Sequence, residues 1–155
     1  MEMIKILANI IFGFIIPWIF GIWLFKRNPK VILLIAPIGI AIAFLINEWG
    51  VNYFWEFKPI FKNISLSAYP LNLGLYPILV CFFIYIEMKK QFNTLGLICF
   101  FTLFLTVLEK IAHLLGKVNY INGWNIFWTF ISYLVAILIV YSYFRILVRH
   151  QILNS

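Results

Sequence analysis

Glu109 and His113 stand four residues apart in an otherwise apolar stretch. They continue a series, Thr102, Thr106, Glu109, His113 and Gly116, spaced 4, 3, 4 and 3. That spacing places all five on one side of a helix. An ionisable residue inside an apolar span is costly, so it marks a functional group or a pair that holds the helix end together. Glu109 and His113, one turn apart, suit both readings: acid/base chemistry in residue type, or mutual stabilisation. Lys110 beside them has a stem long enough to carry its charge to the surface. A second stripe, Asn125, Thr129, Ser132 and Ala136, repeats the 4, 3, 4 spacing. Small and hydroxyl residues are what close helix contacts in lipid use. The connection between the two segments is short, so they should pack as an antiparallel hairpin with the stripes facing. Glu109 and His113 would then be the candidate catalytic residues of one polar site. Glu48, Asn125, Trp124 and Thr106 would be its ligand-binding surroundings.

Other chemistries find less support. Glu109-x-x-x-His113 offers two metal ligands one turn apart, but the HExxH pattern is absent and a third ligand would have to be Glu48 or water. No serine or cysteine has an identifiable base partner, and no phosphate-cradling glycine loop is present. No metal and no cofactor is expected.

The elements that must position these residues are written in the composition. Of 155 residues, 65% are hydrophobic and 11% charged, with a mean hydropathy of +1.01. Soluble domains are nearer half apolar and a quarter charged, and a small domain has too little interior to hide such an excess. Lipid can solvate it instead. The net charge of +7 sits in short clusters between apolar runs, as membrane topology requires, so no nucleic-acid partner is expected. Cys81 and Cys99 lie within apolar runs and form no disulfide framework.

A bilayer-crossing helix needs roughly 20 mainly apolar residues. Five runs qualify, at about 6–25, 31–49, 71–86, 92–115 and 125–144. Their continuity predicts helices rather than the alternating strands of a barrel. The first is succeeded by Lys26-Arg27 rather than by a cleavage site, and reads as a retained helix. The expected fold is therefore all-α: a polytopic transmembrane bundle of five helices, one integral membrane domain over residues 1–155. Gly13, Pro17 and Gly21, and Gly39 with Ala43, read as close-packing seams. Pro17 and Pro77 should kink their helices, and Gly116 is a natural helix stop. The link 50–70 is rich in rings, Tyr53, Phe54, Trp55, Phe57, Phe61 and Tyr69, with Glu56, Lys58 and Lys62 interleaved. It reads as an interfacial loop or short surface helix, or as a lid over a site on its own face.

The stretch EKIAHLLGKVNYINGWNIFW at Glu109–Trp128 resembles an uncharacterised family of small five-helix membrane proteins of spore-forming bacilli and clostridia. The likeness rests on Glu109, Ala112, His113, Gly116, Gly123, Trp124, Asn125 and Trp128, and more loosely on Trp55-Glu56-Phe57 with Pro59. Where those proteins carry an aromatic residue after the glutamate, this chain has Lys110. The resemblance implies the cytoplasmic membrane of a Gram-positive bacterium and no particular reaction. Two functional readings stay open: a protein acting through contacts with membrane lipids or other membrane proteins, and an enzyme or carrier for a lipid-like molecule at the outer leaflet. The first needs a polar stripe consumed by helix contacts, the second titratable residues inside a pocket. Nothing in the chain sets the oligomeric state.

Lysine and arginine set the orientation. With the N-terminus outside and the C-terminus inside, seven of the twelve basic residues are cytoplasmic: Lys26, Arg27, Lys30, Lys89, Lys90, Arg145 and Arg149. In intact cells, a cysteine placed at Lys117 should react with a membrane-impermeant maleimide. One placed at Lys30 should react only after permeabilisation. The reverse pattern would invert the orientation.

Overall fold

The computed structural model describes residues 2–153. Five helices are long and apolar enough to cross a membrane: α1 (Ile6–Arg27, continuing a helical run from Glu2), α2 (Pro29–Tyr53), α3 (Leu71–Met88), α4 (Thr94–Leu114) and α5 (Ile126–Arg149). The chain is thus a multi-pass helical membrane protein. Asparagine starts three of these helices: Asn28, Asn93 and Asn125 each accept a hydrogen bond from a first-turn N–H. These caps supply partners that lipid cannot. α2 runs four residues past its expected end. α5 continues to Arg149 because Arg145 does not break it; the guanidinium lies against the Tyr141 ring one turn back.

The helices pack through the expected small residues. Ile11–Ile15 and Leu71–Leu75 are both wide π-turns, each leading into a proline, Pro17 and Pro77. A proline cannot donate to the carbonyl four residues back. Pro77 thereby strips Leu73 of its helical donor, and the Trp18 indole replaces it at 2.9 Å. Where the two π-turns cross, Gly74 lies so close that a Cβ there would strike the Gly13 carbonyl oxygen and come within 2.6 Å of Phe14 Cα. Gly39 similarly admits Val80 and Pro77 of α3. The main core, including Leu24, Ile35, Phe83, Ile84, Ile137 and Val140, lies between these helices.

One end of the bundle holds the start of α1, the 54–70 link and the 115–125 connection. Part of the link is a strand rather than a helix or loop. Trp55–Phe57 forms a strand, β1, that pairs antiparallel with β2 (Val118–Tyr120) in the register Trp55↔Tyr120, Glu56↔Asn119 and Phe57↔Val118. Trp55 and Phe57 turn inward and join Val51, Ala68 and Val118 in a second apolar cluster, while Glu56 turns out and pairs with Lys58 at 3.6 Å. The link then passes through a short 3₁₀ turn, Ile64–Ala68, into α3.

Gly74→Ala should lower stability in detergent by about 1–3 kcal/mol, the usual cost of overpacking, because the new methyl meets backbone. Gly96→Ala, with nothing within 4 Å of the added carbon, should be neutral or stabilising. Thermal unfolding of both variants tests this; equal behaviour would refute the close crossing.

Candidate functional site: a carboxylate held by three hydroxyls

α4 ends in a turn that aims the next strand back at the bundle. Gly116, at φ +68°, gives the left-handed residue a helix C-terminus favours. The Gly116 N–H reaches His113 O at 3.0 Å and the Lys117 N–H reaches Ala112 O at 2.8 Å, the paired bonds of a Schellman stop. The chain reverses directly into β2. Val118 O is thereby brought 2.9 Å from His113 Nδ1, and the Tyr120 ring stacks on the His113 imidazole with centroids 4.5 Å apart. His113 Nδ1 donates to that carbonyl, so the ring is used as a brace for β2.

One turn earlier on α4, Glu109 receives the polar end of the bundle. Tyr120 donates to Oε1 at 3.0 Å, Thr129 of α5 to the same oxygen at 3.0 Å, and Tyr133 of α5 to Oε2 at 2.5 Å. A second layer aligns these donors. Tyr76 of α3 lies 3.2 Å from the Tyr133 hydroxyl, and the Trp124 indole donates to Thr129 Oγ1 at 3.0 Å. Burial, and after it the Glu109 charge, raises the pKa of Tyr120 well above its usual value, so that hydroxyl keeps its proton and stays a donor. Among the described residues no lysine, arginine or histidine completes the set: Lys110 is exposed, Lys117 reaches Asn9, and His113 is engaged with Val118.

Beside Glu109 is a cavity of ≈ 50 Å³. Its walls are α2 (Gly39, Ile42, Ala43, Ile46, Asn47) and α5 (Ser132, Tyr133, Ala136, Ile137, Val140). Tyr76 and Val80 of α3, with Leu105 and Glu109 of α4, line its floor, and Trp55 and Trp124 close the sheet end. Asn47 in its wall donates to Asn72 at 2.5 Å. Trp55 is 5% exposed, yet its indole N–H has no hydrogen-bond partner. A buried, unsatisfied donor costs about 1–3 kcal/mol.

The structure joins some of the residues expected from sequence and separates others. Glu109 meets Thr129 across the α4–α5 seam, and Trp124 stands one bond behind. Thr106 is buried on the expected face, but its hydroxyl turns back to Thr102 O at 2.7 Å and adds nothing to the site. Asn125 is exposed and caps α5 through Phe127 N and Trp128 N at 2.9 and 3.4 Å; a side chain folded onto its own helix start does not reach Glu109. Glu48 is also outside the cluster. It sits one residue past Asn47, hence about 100° around the helix, and accepts from Ser65 Oγ at 2.6 Å on the exposed face. Tyr120, Tyr133, Tyr76 and Trp55 belong to the site without having been expected there. Tyr133 is within reach of pattern reading, since it lies one turn beyond Thr129. Tyr120 is not, because only the strand pairing brings it back.

No protein-family model, curated protein or solved structure matches the chain.

Tyr133→Phe should lower stability by about 1–3 kcal/mol, because Glu109 Oε2 loses its hydroxyl donor. Asn125→Ala should cost about 0.5–2 kcal/mol through the lost cap. Chemical unfolding in mild detergent reads both. An unchanged midpoint for Tyr133→Phe would show that its bond to Glu109 contributes nothing.

Proposed function

We propose that this membrane protein binds an amphiphilic molecule, with the polar head at Glu109 and the chain along the seam between α2 and α5. The observation that carries this reading is the cavity's own asymmetry. Glu109, Tyr133, Tyr76, Asn47 and Trp55 stand among its polar lining, whereas Gly39, Ile42, Ala43, Ala136, Ile137 and Val140 give it apolar walls. Ligand sites commonly combine an apolar lining with a few convergent polar groups. A stripe used only as helix glue would be fully consumed, as Thr102 and Thr106 are by their back-bonds to Ile98 and Thr102. Glu109 is not consumed in that way: it gathers three hydroxyls from two elements, β2 and α5, and faces a void. Of the two readings left open by the sequence, this favours a lipid-like ligand. Tyr120, Thr129 and Tyr133 take the place assigned there to Asn125 and Glu48. In the same proposal the sheet end is the outer one, in keeping with the Lys26–Lys30 cluster at the opposite end of α1, and the host membrane is a bacterial cytoplasmic membrane.

Leucine in place of Ala136 should fill the seam. Protein purified in mild detergent should carry a co-purifying amphiphile, detected by solvent extraction and mass spectrometry. Ala136→Leu should lose about 90% of it, a tenfold drop equivalent to about 1.4 kcal/mol. Retention of the same amount by a folded Ala136→Leu variant would overturn the proposal.

A further inference from the structure

An amphiphile in this slot could carry several kinds of head group, and the donors and charges around the cavity narrow the choice. The cavity lining holds one carboxylate, Glu109, and no lysine, arginine or histidine. Among the described residues, the ion pair formed is Lys58–Glu56, out on the strand. An anionic head, whether phosphate or carboxylate, would meet Glu109 with no cation to offset the repulsion in a low-dielectric site. A cationic head would supply the counter-charge that the protein withholds. Aromatic side chains stand beside the carboxylate as well: Trp55, Trp124, Tyr76 and Tyr133 line the same space, and ring faces attract ammonium groups.

A second, independent observation concerns Trp55. The cluster's hydroxyls are committed: Tyr120, Thr129 and Tyr133 to Glu109, and Ser132 to Thr129 O at 2.8 Å. Trp55 lines the cavity, and its indole N–H remains buried and unpartnered. It needs an acceptor. An ammonium has none, so a bare amine would leave this donor unsatisfied. An oxygen close to the ammonium would satisfy it.

We infer that the head group is an ammonium with a neighbouring oxygen, as in an amino alcohol or its ether. Its N–H groups donate to Glu109, and its oxygen accepts from Trp55. This rests on the amphiphile reading, and the size agrees. A void of ≈ 50 Å³ takes a few water-sized groups, each needing about 10–15 Å³, which suits a head of a few heavy atoms while the chain stays in the seam.

The test uses the full chain in maltoside detergent at neutral pH and reads tryptophan fluorescence. The probes are 2-(dodecyloxy)ethylamine, dodecylamine, dodecanol, dodecanoate and free ethanolamine. The wild-type protein should bind both amines at least tenfold more tightly than dodecanol, and should prefer the ether amine to dodecylamine. Dodecanoate and free ethanolamine should bind far more weakly. Glu109→Gln should bring the amine-to-alcohol ratio close to one while dodecanol binding persists, and Trp55→Phe should erase only the preference for the ether oxygen. The wild-type series decides the matter even if either variant fails to fold. Equal binding of dodecanol, dodecanoate and the amines would overturn the ammonium head and leave the amphiphile slot standing. No binding of any chain-bearing probe would overturn the slot itself. Ethanolamine binding as tightly as the ether amine would overturn the amphiphile and point to a free amine.

Discussion

A carboxylate within a membrane span has to be solvated by the protein, because the lipid will not do it. Glu109 sets that requirement here, and much of the sheet end of the bundle answers it. Thr129 and Tyr133 of α5 fix how α5 is rotated against α4, since both hydroxyls must face the same carboxylate one helical turn apart. Tyr76 brings α3 into the same network through Tyr133. Three of the five spans are thus oriented by one acidic side chain. Apolar packing alone gives helices in lipid no such register, because lipid tails compete for the same contacts.

The third hydroxyl explains the two-stranded sheet. Tyr120 belongs to no span. It reaches Glu109 only because α4 stops at Gly116, reverses, and runs back as β2 beside β1. Backbone pairing with β1 keeps that reversal extended, and the His113 imidazole supports it through Val118 O and the Tyr120 ring. The Trp55 ring rests against Gly50, where any side chain would collide with it. The same ring packs near Trp124, with centroids 4.9 Å apart. The aromatic link therefore packs Trp55 into the end of the bundle, beside the cavity that Glu109 also lines.

How much of this is legible in the sequence depends on the range of each interaction. The five spans are legible because each is a local run of apolar residues, and the Gly13 and Gly39 seams because small residues recur at helical spacing. The α4–α5 pairing of Glu109 with Thr129 is legible for the same reason. Asn125 and Glu48 mislead because belonging to the same end of the bundle is not proximity: both turn elsewhere, one to cap a helix and one to Ser65. The alternation in Trp55-Glu56-Phe57-Lys58 carries the period of a strand, but it is short and masked by the aromatic content around it. Its partner, Val118–Tyr120, lies some sixty residues away, a distance that periodicity does not bridge.

The position of the cavity is a consequence of these same constraints. Tyr133 and Tyr76 have to reach across from α5 and α3 to a carboxylate on α4, so the centre of the bundle cannot close completely there. Gly39 and Ala43 on α2, facing Ala136 on α5, place small side chains opposite one another where larger ones would have filled the gap. Trp55 and Trp124 seal the sheet end, and Leu105 and Val80 fill the floor. In the proposed reading the α2–α5 seam is the way in, and it faces the hydrocarbon rather than water. A site reached through lipid selects molecules that already reside there, and a carboxylate at its end selects among them by charge. The two filters act on different parts of one molecule, the chain and the head, which is why the geometry argues for an amphiphile rather than for a soluble ion or a simple hydrocarbon.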